Sequence, residues 1–463
     1  MFGRVKRVHF VGVGGIGMSG IAEVLLNLDF SVSGSDVKES AVTRRLQARG
    51  ARVAIGHRAE NLGDAQVVVY SSAVRPENPE LVAARSLKIP VIPRAEMLGE
   101  LMRLKFAIAV AGAHGKTTTT SLVSTLLAQA GLDPTIVVGG RVLAMGTHAK
   151  LGTGQYLVAE ADESDGSFLR LPPTIAIITN IDAEHLDHYK NLAEIADAFV
   201  QFANKVPFYG STIVCLDDPQ VQAIMPRLEK RTVTYGLVTQ ADVTGRVLST
   251  TAEGSRFEVS SHGTRLGEVW LRMPGEHNVL NALATVAVAQ ELGIPFPVVA
   301  AALAEFLGVA RRFEIKAVEN DVVFVDDYGH HPTEIAATLR AAKRSHGRRL
   351  VVVFQPHRYS RTQFLLDDFG RAFFDADLVY VMDIYAASED PIPGVDGALL
   401  ARSIREHGHK RVAHVGDKEQ LTDLVASSIE KGDLVLTLGA GDVTALNEVL
   451  VEKWRRRVEM GKS

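Results

Sequence analysis

A single cysteine, Cys215, among 463 residues excludes a disulfide framework and any zinc site built from cysteine thiolates. No apolar run approaches the roughly 18 residues needed to cross a bilayer. Charge of neither sign dominates. Lys and Arg number 50 against 54 Asp and Glu, a formal net charge of -4, so nothing draws the whole chain toward nucleic acid or an anionic membrane. Any polyanion must be held by a local site. Low-complexity segments and short internal repeats are also missing. Arg4, Lys6 and Arg7 precede an apolar stretch, as in a secretory leader. Glycines interrupt that stretch at once, so it reads as strand, turn and helix, and the expected location is the cytoplasm.

What is present is an ordinary globular composition, 46% apolar and 22% charged, in a chain long enough for three domains at about 150 residues each. The pattern is α/β throughout. Over residues 1–104, strands at Arg7–Val13, Phe30–Ser33 and Val67–Tyr70 alternate with helical segments, which predicts a Rossmann-like domain. Over 105–310, buried strands at Phe106–Ala111, Tyr156–Ala159 and Ile175–Ile178 each end in glycine or polar residues. Leu192, Ile195, Phe199 and Phe202 fall at helical spacing and read as core face. Residues 231–273 alternate polar and apolar, as in an antiparallel insert, before an alanine-rich helix at Asn278–Leu292. Over 311–463, strands at Val322–Val325, Leu350–Phe354, Leu378–Met382 and Leu434–Leu438 predict a second Rossmann-like, doubly wound sheet.

Two glycine loops stand out. Gly12-Val-Gly14-Gly15-Ile16-Gly17 follows a strand and opens a helix, and Asp36 comes at the spacing of a ribose-binding carboxylate. Alone it suggests a nicotinamide dehydrogenase. The stronger signal is Gly112-Ala113-His114-Gly115-Lys116-Thr117-Thr118, where a strand feeds a glycine turn into a helix N-terminus. Lys116 suits β- and γ-phosphates, and Thr117 suits Mg2+. The match to a strict phosphate-loop pattern is incomplete, because Val110 stands where a further glycine is usual.

Hard oxygen ligands in Glu160-Ala-Asp-Glu-Ser-Asp165 suit Mg2+ at the same sheet edge. One histidine of Asn180–His188 suits a second ligand position. Asn278 and Asn281 share a helix face. Asp326-Asp327-Tyr328-Gly-His330-His331-Pro332 suits either a metal or the orientation of a substrate amine. Arginines in Gln355-Pro-His357-Arg358-Tyr-Ser-Arg361 suit a carboxylate clamp. A dehydrogenase needs no Gly-Lys-Thr loop, and a simple nucleotide switch needs no Rossmann-like domain. A ligase that activates an acid with ATP, and whose acid carries a nucleotide handle, needs both.

These motifs, in this order and over essentially the whole chain, resemble the Mur ligase family. Ala113 replaces the threonine usual there and leaves the backbone cradle intact. The resemblance implies a UDP-sugar domain, a central ATP-binding domain and a C-terminal amino-acid domain. Within the family the chain is most similar to the ligases that join L-alanine to UDP-N-acetylmuramate. A close rival joins a preformed tripeptide to the same sugar. A dehydrogenase and a nucleotide-dependent binding module without ligase activity are more distant alternatives.

Carried over by the resemblance, Gly112–Thr118, Asn278, Asn281 and Arg312 serve ATP, and Thr117, Glu160 and His185 hold Mg2+. Gly14, Gly15, Ile16, Gly17, Asp36, Ser71 and Ser72 serve the UDP-sugar. Tyr328, His330, His357, Arg358 and Arg361 serve the amino acid. Lys116, Arg312, Asp327 and His330 are the expected catalytic groups. The expected partners are small-molecule substrates, with no nucleic acid or membrane, on a monomer or weak homodimer.

Overall fold

The computed structural model describes residues 5–71, 73–142, 147–387 and 389–461. Its strands form three sheets. The first holds β1 (Arg7–Val11), β2 (Ser31–Asp36), β3 (Arg52–Ile55), β4 (Val67–Tyr70) and β5 (Val91–Pro93), all parallel, in the order β3-β2-β1-β4-β5. Strand order reverses at β1, so the crevice for a ligand opens where the glycine loop leaves that strand.

The second sheet is built from β6 (Phe106–Ala111), β7 (Thr135–Val142), β8 (Thr147–Lys150), β9 (Tyr156–Glu160), β10 (Ile175–Ile178), β11 (Ser211–Cys215), β12 (Thr232–Gly236), β13 (Val243–Thr251), β14 (Gly254–Ser261) and β15 (Thr264–Leu271). The spatial order is β15-β14-β13-β12-β11-β10-β6-β9-β7-β8. β6 lies between β10 and β9, so the loops after all three meet at one carboxyl edge.

The third sheet holds β16 (Glu314–Glu319), β17 (Val322–Asp327), β18 (Leu350–Phe354), β19 (Leu378–Val381), β20 (Val412–His414) and β21 (Leu434–Leu438), in the order β16-β17-β21-β18-β19-β20. Central strands such as β4, β10 and β18 read as near-continuous apolar runs because helices cover both faces. Three helices begin with the same device, a capping side chain before proline. These are Asn78-Pro79, Asp218-Pro219 and His331-Pro332.

Helix Arg94–Met102 ties the first sheet to the second. Its Met97, Leu98, Leu101 and Met102 share a buried cluster with Phe168, Leu171 and Phe199. Gly99 allows the approach, since a Cβ there would stand 2.8 Å from the Arg170 carbonyl oxygen. No helix among the described residues is long and apolar enough to cross a membrane.

Five local expectations change. β12 runs parallel to β11, because helix Pro219–Ile224 returns the chain across the sheet; only β13–β15 are antiparallel. The opposite edge carries an unexpected hairpin, β7–β8. β16 precedes β17 as an antiparallel edge strand, so Asp326 and Asp327 close the second strand of the third unit rather than the first. β2 continues to Asp36, and β1 stops at Val11, where Gly12 turns the chain at φ 81°.

Candidate active site

The loop between β6 and helix Lys116–Gln129 is shaped by two glycines. Gly112 has φ 136°, and a Cβ there would collide with Thr179 Oγ1. Gly115 caps the helix at φ 81°, and a Cβ there would lie 2.6 Å from Asn281 Oδ1. The turn is pinned from the next strand. The His114 N–H donates to Asn180 Oδ1 at 2.8 Å, and Thr179 Oγ1 donates to the His114 carbonyl at 2.6 Å. The helix N-terminus therefore presents its amide groups at a fixed place, as an anion site requires.

All three donors of the Lys116 ammonium are engaged within the protein. They reach the Gly112 carbonyl at 2.6 Å, the Ala113 carbonyl at 3.2 Å and Glu163 Oε1 at 2.8 Å. Burial opposes its charge, but Glu163, Asp162 and Glu160 outweigh that and raise its pKa. Glu163 is buried, its pKa is pushed up by that burial, and its Oε2 has no hydrogen-bond partner. One ligand atom each from Asp162, Glu163 and His185 lies within 4.8 Å of the others. Burial lowers the His185 pKa, which keeps a ring lone pair available. This donor set, hard oxygens plus one imidazole with a buried carboxylate oxygen unused, fits a divalent cation. Glu160 ends β9 close enough to act on both Lys116 and Arg312, but it lies outside the converging trio.

A cavity of about 210 Å³ opens beside the loop. His114, Gly115, Thr118, Asn278, Asn281 and Arg312 line it. Asn281 Oδ1 accepts from Thr119 Oγ1 at 3.1 Å, and Asn278 Nδ2 donates to the Pro274 carbonyl at 2.8 Å. Arg312 comes from the third unit, 3.5 Å from Glu334 and over the ring of Tyr328. Asp327 also faces this cavity; its two carboxylate oxygens accept from Gly329 N and Phe313 N, each at 2.8 Å, and burial pushes its pKa up to about 6.

The amino-acid candidates form a separate group at the carboxyl ends of β17 and β18. His330 Nδ1 lies 3.1 Å from the Tyr328 carbonyl. A carbonyl only accepts, so this nitrogen carries the proton and Nε2 keeps its lone pair. Burial, with Arg361 nearby, lowers the His330 pKa to about 4. His357 is likewise lowered to about 3 by burial, and its ring stacks on Tyr385 at 5.6 Å. Arg361 reaches Glu184 at 3.2 Å, and Arg358 reaches Asp187 at 3.0 Å. Both arginines thus meet the loop that carries His185. Arg358 holds φ 70°, and its Nε is buried without a partner.

In the first domain an open cleft of about 950 Å³ is lined by Gly12, Gly14, Gly15, Asp36 and Ser71. The Gly14 N–H donates to Asp36 Oδ2 at 2.8 Å, so Asp36 braces the loop. Ile16 opens the following helix. Gly17 does not line the cleft; a side chain there would strike the Arg94 guanidinium. Ser72 lies outside the described residues.

Sequence reasoning assigned His114 to ATP but missed the contacts by which it joins the second and third units. His114 lies 2.9 Å from Asp182 and 3.4 Å from Glu334, and Thr333 Oγ1 donates to Asp182 at 2.7 Å. It also missed Glu389, which accepts from Ser360 N at 3.0 Å and Ser360 Oγ at 2.6 Å and so braces the turn carrying Arg358 and Arg361. Asp182 lay within a recognised run. Glu334 and Glu389 carried no local signal.

Three family models match in succession. They are the Mur ligase family catalytic domain over residues 7–106, the Mur ligase middle domain over 110–289, and the Mur ligase glutamate ligase domain over 311–441. The UDP-N-acetylmuramate–L-alanine ligase of Syntrophotalea carbinolica is 58% identical over 99% of this chain and 100% of its own length. That of Sorangium cellulosum is 58% identical over 96% of this chain and 95% of its own. The crystal structure of the UDP-N-acetylmuramate–alanine ligase of Thermotoga maritima superposes with a TM-score of 0.81 at 31% identity, covering 97% of this chain and 99% of that one. A murein peptide ligase of Psychrobacter arcticus shares the fold, with a TM-score of 0.70 at 23% identity over 97% of this chain and 98% of its own. With its three sheets, phosphate loop and arginine turn in that arrangement, the chain belongs to the Mur ligase family.

Proposed function

We propose that this protein joins L-alanine to the lactyl carboxylate of UDP-N-acetylmuramate, with ATP converted to ADP and phosphate through an acyl phosphate. The observation that carries this reading is the meeting of three groups at one junction. Lys116 and the Glu163–His185 carboxylate–imidazole set face the phosphate loop, and Arg358 and Arg361 come from the third unit to the same His185 loop. The relatives named as L-alanine ligases support the choice of acceptor.

In this reading the UDP-sugar lies in the cleft of residues 1–104, against Gly14, Gly15, Asp36 and Ser71. ATP lies between residues 105–310 and 311–463, against Gly112–Thr118, Asn278, Asn281 and Arg312. Mg2+ held by His185 with Asp162 and Glu163 of the converging trio, and by Thr117 and Glu160 at its margin, would neutralise charge on the transferred phosphoryl group. Lys116 leaves Glu163 for the phosphates, and Arg312 supplies a second positive charge. Arg358 and Arg361 hold the L-alanine carboxylate, with Tyr328 and His357 walling that pocket. L-alanine enters as the neutral amine, its proton lost to solvent, and the Nε2 lone pair of His330 accepts a hydrogen bond from it and orients it, while Asp327 keeps Arg312 and the Phe313 backbone in place. The amine then attacks the activated carbonyl, and the tetrahedral adduct collapses to amide and phosphate. Water must be excluded while the acyl phosphate persists.

The test is phosphate release with ATP, UDP-N-acetylmuramate and either L-alanine or the tripeptide L-alanyl-γ-D-glutamyl-meso-diaminopimelate. L-alanine alone should support turnover. Turnover with the tripeptide instead would assign the recycling reaction.

A further inference from the structure

The first domain buries a carboxylate that the reaction does not use. Glu80 is fully enclosed beneath the cleft, with four hydrogen bonds. Its Oε2 accepts from Ser35 Oγ at 2.5 Å and faces His9 Nε2 at 3.3 Å. Its Oε1 accepts from Arg58 N at 3.2 Å and Asn61 Nδ2 at 2.5 Å. Burial alone would raise its pKa, but His9, Ser35 and Asn61 hold it near 2, so it stays ionised.

An ionised carboxylate only accepts, and at 2.5 Å the single Ser35 hydroxyl proton must lie between the two oxygens. Ser35 Oγ therefore has no proton to give its other neighbour, His57 Nδ1, at 2.9 Å. That nitrogen must donate. In the neutral ring the lone pair is then on Nε2, at the opposite side from the buried serine. His57 lines the cleft.

Its position matches the base of a nucleotide. β3 pairs with β2, and Asp36 stands opposite Ile55, two residues before His57. In an open parallel sheet the pyrophosphate sits on the loop after β1 and the ribose by the acid ending β2. The base then falls beyond Asp36, over the end of β3.

We propose that His57 is a specificity-determining residue that reads the pyrimidine through Nε2, accepting the imide N3–H of uracil, with Ser35 and Glu80 as positioning residues that fix its tautomer. Cytosine has an acceptor at N3 and would face the Nε2 lone pair unpaired. The proposal rests on the reading that this cleft holds the UDP-sugar.

Calorimetry on the full-length protein with UDP and CDP tests it. The unmodified protein should bind UDP at least about tenfold more tightly than CDP, the scale of one unpaired polar group. His57→Ala should weaken UDP about tenfold, leave CDP within about twofold and erase the preference. Ser35→Ala should cut the preference to about threefold. Nitrogen resonances of the His57 ring should place its proton on Nδ1 in the unmodified protein and show mixed tautomers in Ser35→Ala. Equal binding of UDP and CDP by the unmodified protein would overturn the proposal. So would equal weakening of both by His57→Ala, or a ring proton on Nε2. If UDP binds but Gly15→Val leaves its affinity untouched, the cleft reading itself fails and this proposal with it.

Discussion

The ammonium of Lys116 lies 2.8 Å from Glu163 Oε1 and 2.6 Å from the Gly112 carbonyl oxygen, so the lysine of the phosphate loop is paired with a buried carboxylate of its own domain. Glu163→Gln removes the nearest counter-charge from a buried ammonium. The nucleotide-free variant should lose about 2 kcal/mol of stability, below the full cost of breaking a buried pair because Asp162 and Glu160 remain nearby. Saturating ATP should restore part of it. Denaturant midpoints with and without ATP check this; an unchanged midpoint without ATP would refute it.

Gly115→Ala places a methyl group 2.6 Å from Asn281 Oδ1 at a φ of 81°. The loop must shift by a substantial fraction of an ångström. Turnover with ATP should fall by about 10²-fold. UDP binding to the first domain should be unchanged, which calorimetry can read separately.

His114 couples the phosphate loop to the third unit and carries a pH signature. Burial opposes its charge, but Asp182 and Glu334 prevail and raise its pKa to about 10. A raised pKa gives stability that is fully present below the unfolded value of about 6.5 and is lost as pH climbs toward 10. The stability gap between the unmodified protein and His114→Asn should therefore shrink steadily between these values. Urea midpoints at a series of pH values measure it. A gap that widened with pH would contradict the assignment.

Glu389 braces Ser360 between the two arginines and lies 4.0 Å from the Arg358 guanidinium. Glu389→Ala should raise KM for L-alanine about fivefold while KM for ATP stays within about twofold. Glu389→Gln, which can still accept from Ser360 N, should recover most of the loss. If both variants behave like the unmodified enzyme, Glu389 does not position the clamp.

The features legible in the sequence are those in which one local segment carries both geometry and chemistry. Gly112–Thr118 is a strand, a turn and a helix start within a few residues, and the structure forms it that way. The runs after β9, β10, β17 and β18 were visible for the same reason. Strand pairing was harder. Alternation in 231–273 could not tell β12, parallel to β11, from the antiparallel β13–β15. Hardest were pairs set by domain docking. Arg361 and Glu184 stand 177 residues apart, and no local pattern connects them. Gly17 carries a second constraint that the fingerprint did not show: its lack of a side chain makes room for Arg94.

The central claim is the reaction itself, and acceptor-dependent phosphate release tests it most directly. With ATP and UDP-N-acetylmuramate present, adding L-alanine should raise phosphate release well above the ATP-only blank and yield one amide product per phosphate. No release above that blank, or release only with the tripeptide, would contradict the account.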